Sequence, residues 1–197
     1  MNFNELKLDS SLLQGIADRG YKEMTAVQEQ TLVITLGGRD VTVQSQTGTG
    51  KTAAFLITLF ERMRKNDTPQ RKKALIIVPT RELAVQIKKE ALLLNRHMGF
   101  TIGSFFGGVG YTKQLALLRK GLDIAIGTPG RLMDLSKRGH LNLRDIKILV
   151  IDEADRLFDM GFLPDIQKLL QKMPPRNKRQ TMLFSATLNR VSRRIAA

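Results

Sequence analysis

The residues best equipped for chemistry are Ser45-Gln46-Thr47-Gly48-Thr49-Gly50-Lys51-Thr52, which follow a short apolar run and open a stretch of helical periodicity. Gly48 and Gly50 let the backbone wrap so that successive N–H groups point inward, a geometry that cradles phosphate oxygens. A helix starting there adds the positive end of its dipole. Lys51 supplies a point charge for terminal phosphates, and Thr52 a hydroxyl for Mg²⁺. The stretch nearly matches the phosphate-binding P-loop pattern, departing where Ser45 replaces the first glycine. The plain alternative is a glycine-rich turn carrying a surface lysine.

A second constellation complements the first. Ile148-Leu149-Val150-Ile151 is an apolar strand that delivers Asp152 and Glu153 at its end. Asp152 can hold Mg²⁺ through coordinated water. Glu153 can orient or deprotonate an attacking water. An apolar strand ending in two acids is common by itself. Paired with an upstream P-loop, it supports hydrolysis of ATP or GTP, with Lys51, Asp152 and Glu153 as the catalytic set.

These residues need elements to position them, and the hydropathy pattern provides them. Short β-branched apolar runs occur at Asp40–Val43, Ala74–Val78, Ile102–Phe106, Asp123–Ile126, Lys147–Ile151 and Thr181–Phe184. Longer helical stretches separate them: Leu83, Ala84, Ile87, Ala91 and Leu94 share one helix face, as do Leu12, Leu13, Ile16 and Ala17. Gly37-Gly38 ends one helix ahead of the first strand. Strands alternating with helices predict an α/β fold with a mainly parallel central sheet covered by helices on both faces. Each run leads into an unusual segment: the P-loop, Pro79-Thr80-Arg81-Glu82, Gly107-Gly108, Thr128-Pro129-Gly130-Arg131, Asp152-Glu153-Ala154-Asp155 and Ser185-Ala186-Thr187. In an open parallel sheet the strand C-termini share one edge, and ligands bind in the crevice there.

The chain has 197 residues, enough for one domain with a sizeable core, with no repeat, low-complexity stretch or long linker. Its formal charge of +14 favours a polyanionic partner such as nucleic acid, although a basic surface without a ligand gives the same count. Part of that excess, Arg62-Met63-Arg64-Lys65 and Arg71-Lys72-Lys73 around Asn-Asp-Thr-Pro-Gln, reads as a solvated loop. No apolar run approaches the roughly 20 residues that cross a bilayer, and the N-terminus lacks the order of a secretory signal. With no cysteine, disulfides and thiolate metal sites are excluded, and a cytoplasmic protein without membrane contact is expected. His97 and His140 lack partners at metal-ligand spacing and read as surface residues.

Asp152-Glu153-Ala154-Asp155 spells the sequence that names the DEAD-box RNA helicases. Pro79-Thr80-Arg81-Glu82-Leu83-Ala84, Gly107-Gly108, Thr128-Pro129-Gly130-Arg131 and Ser185-Ala186-Thr187 resemble that family's other motifs, in order and over essentially the whole chain. The resemblance implies a RecA-like P-loop domain using ATP and Mg²⁺. It implies that Gln46, Thr47, Gly48, Thr49, Gly50, Lys51 and Thr52 bind the nucleotide. It also implies that Pro79, Thr80, Arg81, Gly107, Gly108, Thr128, Pro129, Gly130 and Arg131 form a track for the RNA backbone. Arginine pairing with phosphate and glycine admitting close approach fit that role, as they also fit a surface cation and a helix-start turn. Asp155, Ser185 and Thr187 would couple hydrolysis to RNA remodelling, Ser185 and Thr187 by hydrogen bonds to Asp155; a polar strand end capping the next helix reads the same. The segment Gly20-Tyr21-Lys22-Glu23-Met24-Thr25-Ala26-Val27-Gln28 resembles the adenine-recognising Q motif, with Gln28 offering donor and acceptor to the base and Phe3 able to stack on it. Tyr21 falls in the same segment. Thr25 and Gln28 also form a capping box, and Met24 and Ala26, where the family carries prolines, predict a looser turn. Gly110–Leu115 and Asp159–Phe162 resemble bacterial members, the RNA-degradosome-associated helicase among them.

Only the motifs of the family's first domain are found here, so the resemblance implies a second RecA-like domain as partner. Its arginine fingers contribute about 10³–10⁵ in rate in P-loop enzymes, so this chain is expected to bind adenine nucleotide and turn it over poorly. A related motor acting on DNA and an ATP-dependent RNA clamp without turnover are the rival readings.

Overall fold

The computed structural model describes residues 1–64 and 73–188, together with Ile195. Six strands form the sheet: β1 (Val41–Gln44), β2 (Lys73–Ile77), β3 (Ile102–Phe105), β4 (Ile124–Gly127), β5 (Ile146–Ile151) and β6 (Gln180–Ser185). Each expected run lies on a strand, with ends differing by a few residues. The order is β1-β6-β5-β2-β4-β3, and every neighbouring pair is parallel.

The helices are α1 (Ser10–Asp18), α2 (Ala26–Thr35), α3 (Lys51–Arg64), α4 (Arg81–Leu94), α5 (Tyr111–Arg119), α6 (Pro129–Lys137), α7 (Ala154–Asp159) and α8 (Leu163–Gln171). Alternate residues of each strand enter opposite cores, because successive side chains on a strand point to opposite faces. Ala74, Ile76, Val78, Ile148, Val150, Met182 and Phe184 pack with α1 through α4. Leu75, Ile77, Leu149, Ile151 and Leu183 pack with α6, α7 and α8 on the other face. Both faces of the sheet are covered except at the edge strand β1, where Thr42 and Gln44 are exposed, which explains why the inner strands read as continuous apolar runs rather than alternating ones.

The basic stretch after the P-loop helix divides. Arg62, Met63 and Arg64 are not loop but the last turn of α3, where Met63 is buried and Arg64 pairs with Asp9 at 3.2 Å. The helix continues because Met63 still falls on its apolar face, so tertiary burial outweighs the local charge. Residues 65–72 lie outside the described residues. The segment carrying Met24 and Ala26 is not loosened by its lack of proline. Its capping box is complete, Met24 is buried, and a bridge between Asn2 and Glu23 ties it to the N-terminus. Among the described residues no helix is long and apolar enough to cross a membrane.

Candidate functional site

All six strands end on one edge, and their order sorts the segments that follow them. β1, β6 and β5 lie side by side. They carry the P-loop, Ser185-Ala186-Thr187 and Asp152-Glu153-Ala154-Asp155 on one half of that edge. β2, β4 and β3 form the other half, carrying Pro79–Arg81, Thr128–Arg131 and Gly107-Gly108. The seam between the halves is the β5–β2 pair, where the Asp152 N–H donates to the Ile77 carbonyl at 3.0 Å.

On the first half, α3 begins at Lys51, and Gly48 and Gly50 take φ of 87° and 82°. Those left-handed values let the loop turn back onto the helix start. Lys51 Nζ lies 2.9 Å from Asp152 Oδ1, with Lys51 8% and Asp152 0% exposed. Burial pushes the Asp152 carboxyl above the usual carboxylate range, and the charge of Lys51 opposes that shift. Asp152 Oδ2 is buried without a hydrogen-bond partner, and so is the Ser45 hydroxyl. A buried carboxylate oxygen without a partner costs free energy unless something binds it. A hydrated divalent cation fits that oxygen. Mg²⁺ keeps most of its waters and needs only one or two carboxylates beside substrate phosphates. Among the described residues no group of three or more His, Cys, Asp or Glu is able to hold a metal.

Glu153 adopts φ 51° and ψ 51°, the one left-handed non-glycine among the described residues. Such a conformation costs on the order of 1 kcal/mol or more and persists only where the surroundings impose it. Here the Glu153 N–H donates to Asp152 Oδ1 at 2.9 Å, and its carboxylate meets Arg156 at 3.1 Å. Ser185 links to Asp155 as expected, but through the backbone. The Asp155 N–H donates to Ser185 Oγ at 3.2 Å, and that hydroxyl donates to the Thr187 carbonyl at 2.6 Å.

A cleft of about 560 Å³ runs from the P-loop along α4, bordered by Phe3, Tyr21, Gln28, Lys51, Thr52 and Glu153. Gln28 fills two roles at once. Its Oε1 accepts from the Thr25 N–H at 2.9 Å, closing the capping box, and its Nε2 donates to the Gly50 carbonyl at 3.1 Å. The amide keeps one hydrogen and one lone pair for a further partner. Thr25 Oγ1 also donates to the Thr49 carbonyl at 2.8 Å, so this segment and the P-loop are bonded directly. Phe3 borders the cleft yet is only 1% exposed, tilted against Tyr21 at 6.0 Å between centroids. It offers no open ring face in this arrangement, and the half-buried Tyr21 stands over it.

Sequence reasoning missed Glu90 at this cleft. It accepts from the Tyr21 hydroxyl at 2.6 Å and from Arg19 at 2.8 Å, while the Arg19 guanidinium sits over the Tyr21 ring at 5.3 Å. Hydrogen bonds to Tyr21 and Glu90 hold the Arg19 guanidinium above its ordinary range, and burial raises the Tyr21 phenol. The signal was faint: Glu90 reads as an ordinary polar position on α4, and only the α1–α4 packing brings Arg19 and Tyr21 to it.

On the second half, Thr80 caps α4, its hydroxyl accepting from the Leu83 N–H at 3.2 Å. Thr128 precedes α6 with its hydroxyl uncommitted to the cap, and Pro129 opens that helix. The Arg81 guanidinium lies over the Phe106 ring at 5.1 Å, beside Gly107-Gly108. Arg131 lies over Tyr111 at 4.7 Å and donates to Gln114 Oε1 at 3.1 Å. Both guanidiniums stack on aromatic rings, and among the described residues neither has a carboxylate partner. His97 pairs with Asp18 at 2.6 Å, and His140 is exposed.

A parallel sheet with a P-loop after β1 and an acidic pair after β5, one strand apart across β6, defines a nucleotide-binding α/β domain. The family model for DEAD/DEAH box helicases matches residues 25–195, and the chain belongs to that family. It is 44% identical over 191 residues to the ATP-dependent RNA helicase RhlB of Pseudomonas putida, covering 94% of this chain and 48% of that protein. To the RhlB of Shigella dysenteriae it is 46% identical over 202 residues, covering 98% and 47%. The crystal structure of a hypothetical ATP-dependent RNA helicase from Sulfolobus tokodaii superposes with a TM-score of 0.87 at 36% identity, covering 96% of this chain and 54% of that one. The chain thus spans about half the length of these relatives.

Proposed function

We propose that this chain is the ATP- and RNA-binding first RecA-like domain of a DEAD-box RNA helicase, acting in the cytoplasm with a second RecA-like domain. The observation that carries this reading is the division of one sheet edge into a half with P-loop and acids and a half with glycines and with arginines stacked on aromatic rings. Gln28 would read adenine through its spare donor and acceptor, with Tyr21 and Phe3 forming the wall beside the base. Lys51 would exchange Asp152 for a terminal phosphate, since one cation serves both anions. Mg²⁺ would be held by Thr52 and, through water, by Asp152, and when bound it would neutralise charge on the phosphates. Glu153, restrained by Arg156, would orient the attacking water or take its proton. Arg81, Arg131 and the Thr80 and Thr128 hydroxyls would contact phosphate and 2′-OH groups, giving sequence-independent, RNA-selective binding.

In the whole protein, ATP and RNA would draw the two domains together and bend one strand out of a short duplex, and hydrolysis would reopen the cleft. Arginines contributed by the second domain would supply about 10³–10⁵ in rate, so the domain alone should bind nucleotide and hydrolyse it very slowly. The test is ATP turnover by this chain with Mg²⁺, with and without single-stranded RNA, against a Lys51→Ala blank. Nucleotide binding that the blank loses, with turnover near the blank, is expected. RNA-stimulated turnover well above the blank would overturn the division of labour between two domains.

A further inference from the structure

The strand N-termini form the edge opposite the site just described, and a groove of about 930 Å³ runs along it. It lies where α6 hands over to β5 and α8 hands over to β6. Arg144, Lys147, Lys172 and Lys178 line it, all exposed, and among the described residues no carboxylate does. Among the described residues none of these four makes an ion pair. Lys147 and Lys178 also border an adjoining hollow of about 250 Å³, again without a carboxylate among the described residues, and with Arg62 and Arg179 on its rim. Arg62 Nε is buried there with no hydrogen-bond partner. On a chain that elsewhere pairs Arg19, Arg64, Arg138 and Arg156 with acids, an unneutralised groove stands out.

We propose that this groove is a second RNA site, separate from the strand C-terminal edge and independent of nucleotide, that takes the phosphate backbone of a duplex segment. The chemistry of the lining selects that ligand. Among the described residues no aromatic side chain lines the groove, so unstacked bases find no platform, which single-strand sites depend on. Of its apolar residues, Leu143 and Met173 are 2% and 7% exposed and Leu141 and Pro174 are partly buried, so an acidic peptide finds little apolar anchor. What remains is a row of cations for regularly spaced phosphates. The six residues of β5 separate this groove from Asp152 by about 20 Å at the rise of a strand, so one contact is not a continuation of the other. Held there, flanking duplex would stay on the domain while the opposite edge releases its strand. The choice of RNA among polyanions rests on the proposed function.

The test is fluorescence anisotropy of a labelled blunt RNA duplex with the full chain, without nucleotide, across a salt series. In Arg144→Gln/Lys147→Gln/Lys172→Gln/Lys178→Gln, affinity should fall at least about tenfold, and the slope of log K against log salt should flatten by about 3 to 4, near 0.9 per cation. A charge-matched control, Lys7→Gln/Lys89→Gln/Arg96→Gln/Lys120→Gln, should stay near the parent. Should the quadruple variant fail to fold, Lys172→Gln and Lys178→Gln alone must each flatten the slope by about 0.9. An unchanged slope, or equal losses in groove and control variants, would overturn the proposal. So would displacement of the duplex by poly-glutamate at lower charge concentration than by RNA, which would point to an acidic protein segment. Arg81→Gln/Arg131→Gln tests the proposed function separately: it should weaken nucleotide-dependent single-strand binding.

Discussion

Lys51 and Asp152 form a buried ion pair, and this makes the pair a stability element beside its proposed catalytic role. Removing one partner of a buried ion pair costs about 3–5 kcal/mol, because the remaining charge stays desolvated. Asp152 can escape that cost by taking a proton, which its raised pKa favours. A group whose folded pKa exceeds its unfolded value contributes stability below the unfolded value and loses it as pH rises through the folded one. Lys51→Ala removes what opposes that loss. The variant should therefore be destabilised more at pH 8 than at pH 5 in urea unfolding, and Lys51→Met/Asp152→Asn should recover part of the difference. A deficit independent of pH would contradict this account. Glu90 invites a second experiment. Glu90→Gln keeps the shape but removes the charge that gathers Arg19 and Tyr21, and a charged hydrogen bond is worth about 1.5–3 kcal/mol. Adenine nucleotide affinity by titration calorimetry should fall a few-fold to tenfold, with inorganic triphosphate affinity unchanged.

Elements matter here through their closest approaches. Helix α1 crosses the C-terminal turn of α4 at Gly15, where an added Cβ would sit 2.5 Å from the Leu94 carbonyl oxygen. Backbone cannot yield as a flexible side chain can, so Gly15→Ala must push the two helices apart. Overpacking of this kind costs about 1–3 kcal/mol. Because Arg19 and Tyr21 follow α1 while Glu90 lies on α4, the same shift should loosen the cleft wall. A lowered Tm together with weakened ATP binding is expected; a lowered Tm with ATP affinity intact would show that the wall is set elsewhere. The left-handed Glu153 at the start of α7 is likewise an element boundary put to use. The strand ends in a buried acid, and the next residue turns sharply before the helix can begin.

For the whole molecule, the sheet is the shared wall of two cores, and β5 lies near its middle. Val150 packs into one core and Leu149 into the other, both fully buried. Large-to-small changes in such sites cost roughly 2–5 kcal/mol, less for valine than for leucine. Val150→Ala and Leu149→Ala should each lower the urea midpoint in a single transition seen identically by fluorescence-independent probes such as circular dichroism and proteolysis. Two transitions would mean that the faces fold separately. The net charge of +14 also acts at this scale. Part of it lies on the strand C-terminal edge, at Arg81 and Arg131. Another part lies on the opposite edge, where the sequence alone gave no reason to look.

The sequence determined the α/β alternation, all six strands and the composition of the nucleotide half, because local spacing carries those signals. A strand needs only its apolar run, and a P-loop only its glycines, lysine and threonine in order. It did not determine strand order, which depends on crossovers spanning the chain, so the sorting of the P-loop and acidic segments from the arginine- and glycine-bearing segments came only from tertiary structure. Glu90 was illegible for the same reason: its partners are distant in sequence and meet only when α1 packs on α4. Phe3 read as an isolated aromatic beside the base, and the fold buried it. Arg62 to Arg64 read as loop from charge alone, and packing on the apolar face of α3 decided otherwise. The basic groove joins residues from two strand entries and a helix end, a neighbourhood that exists only once the parallel sheet brings its N-termini to a single edge.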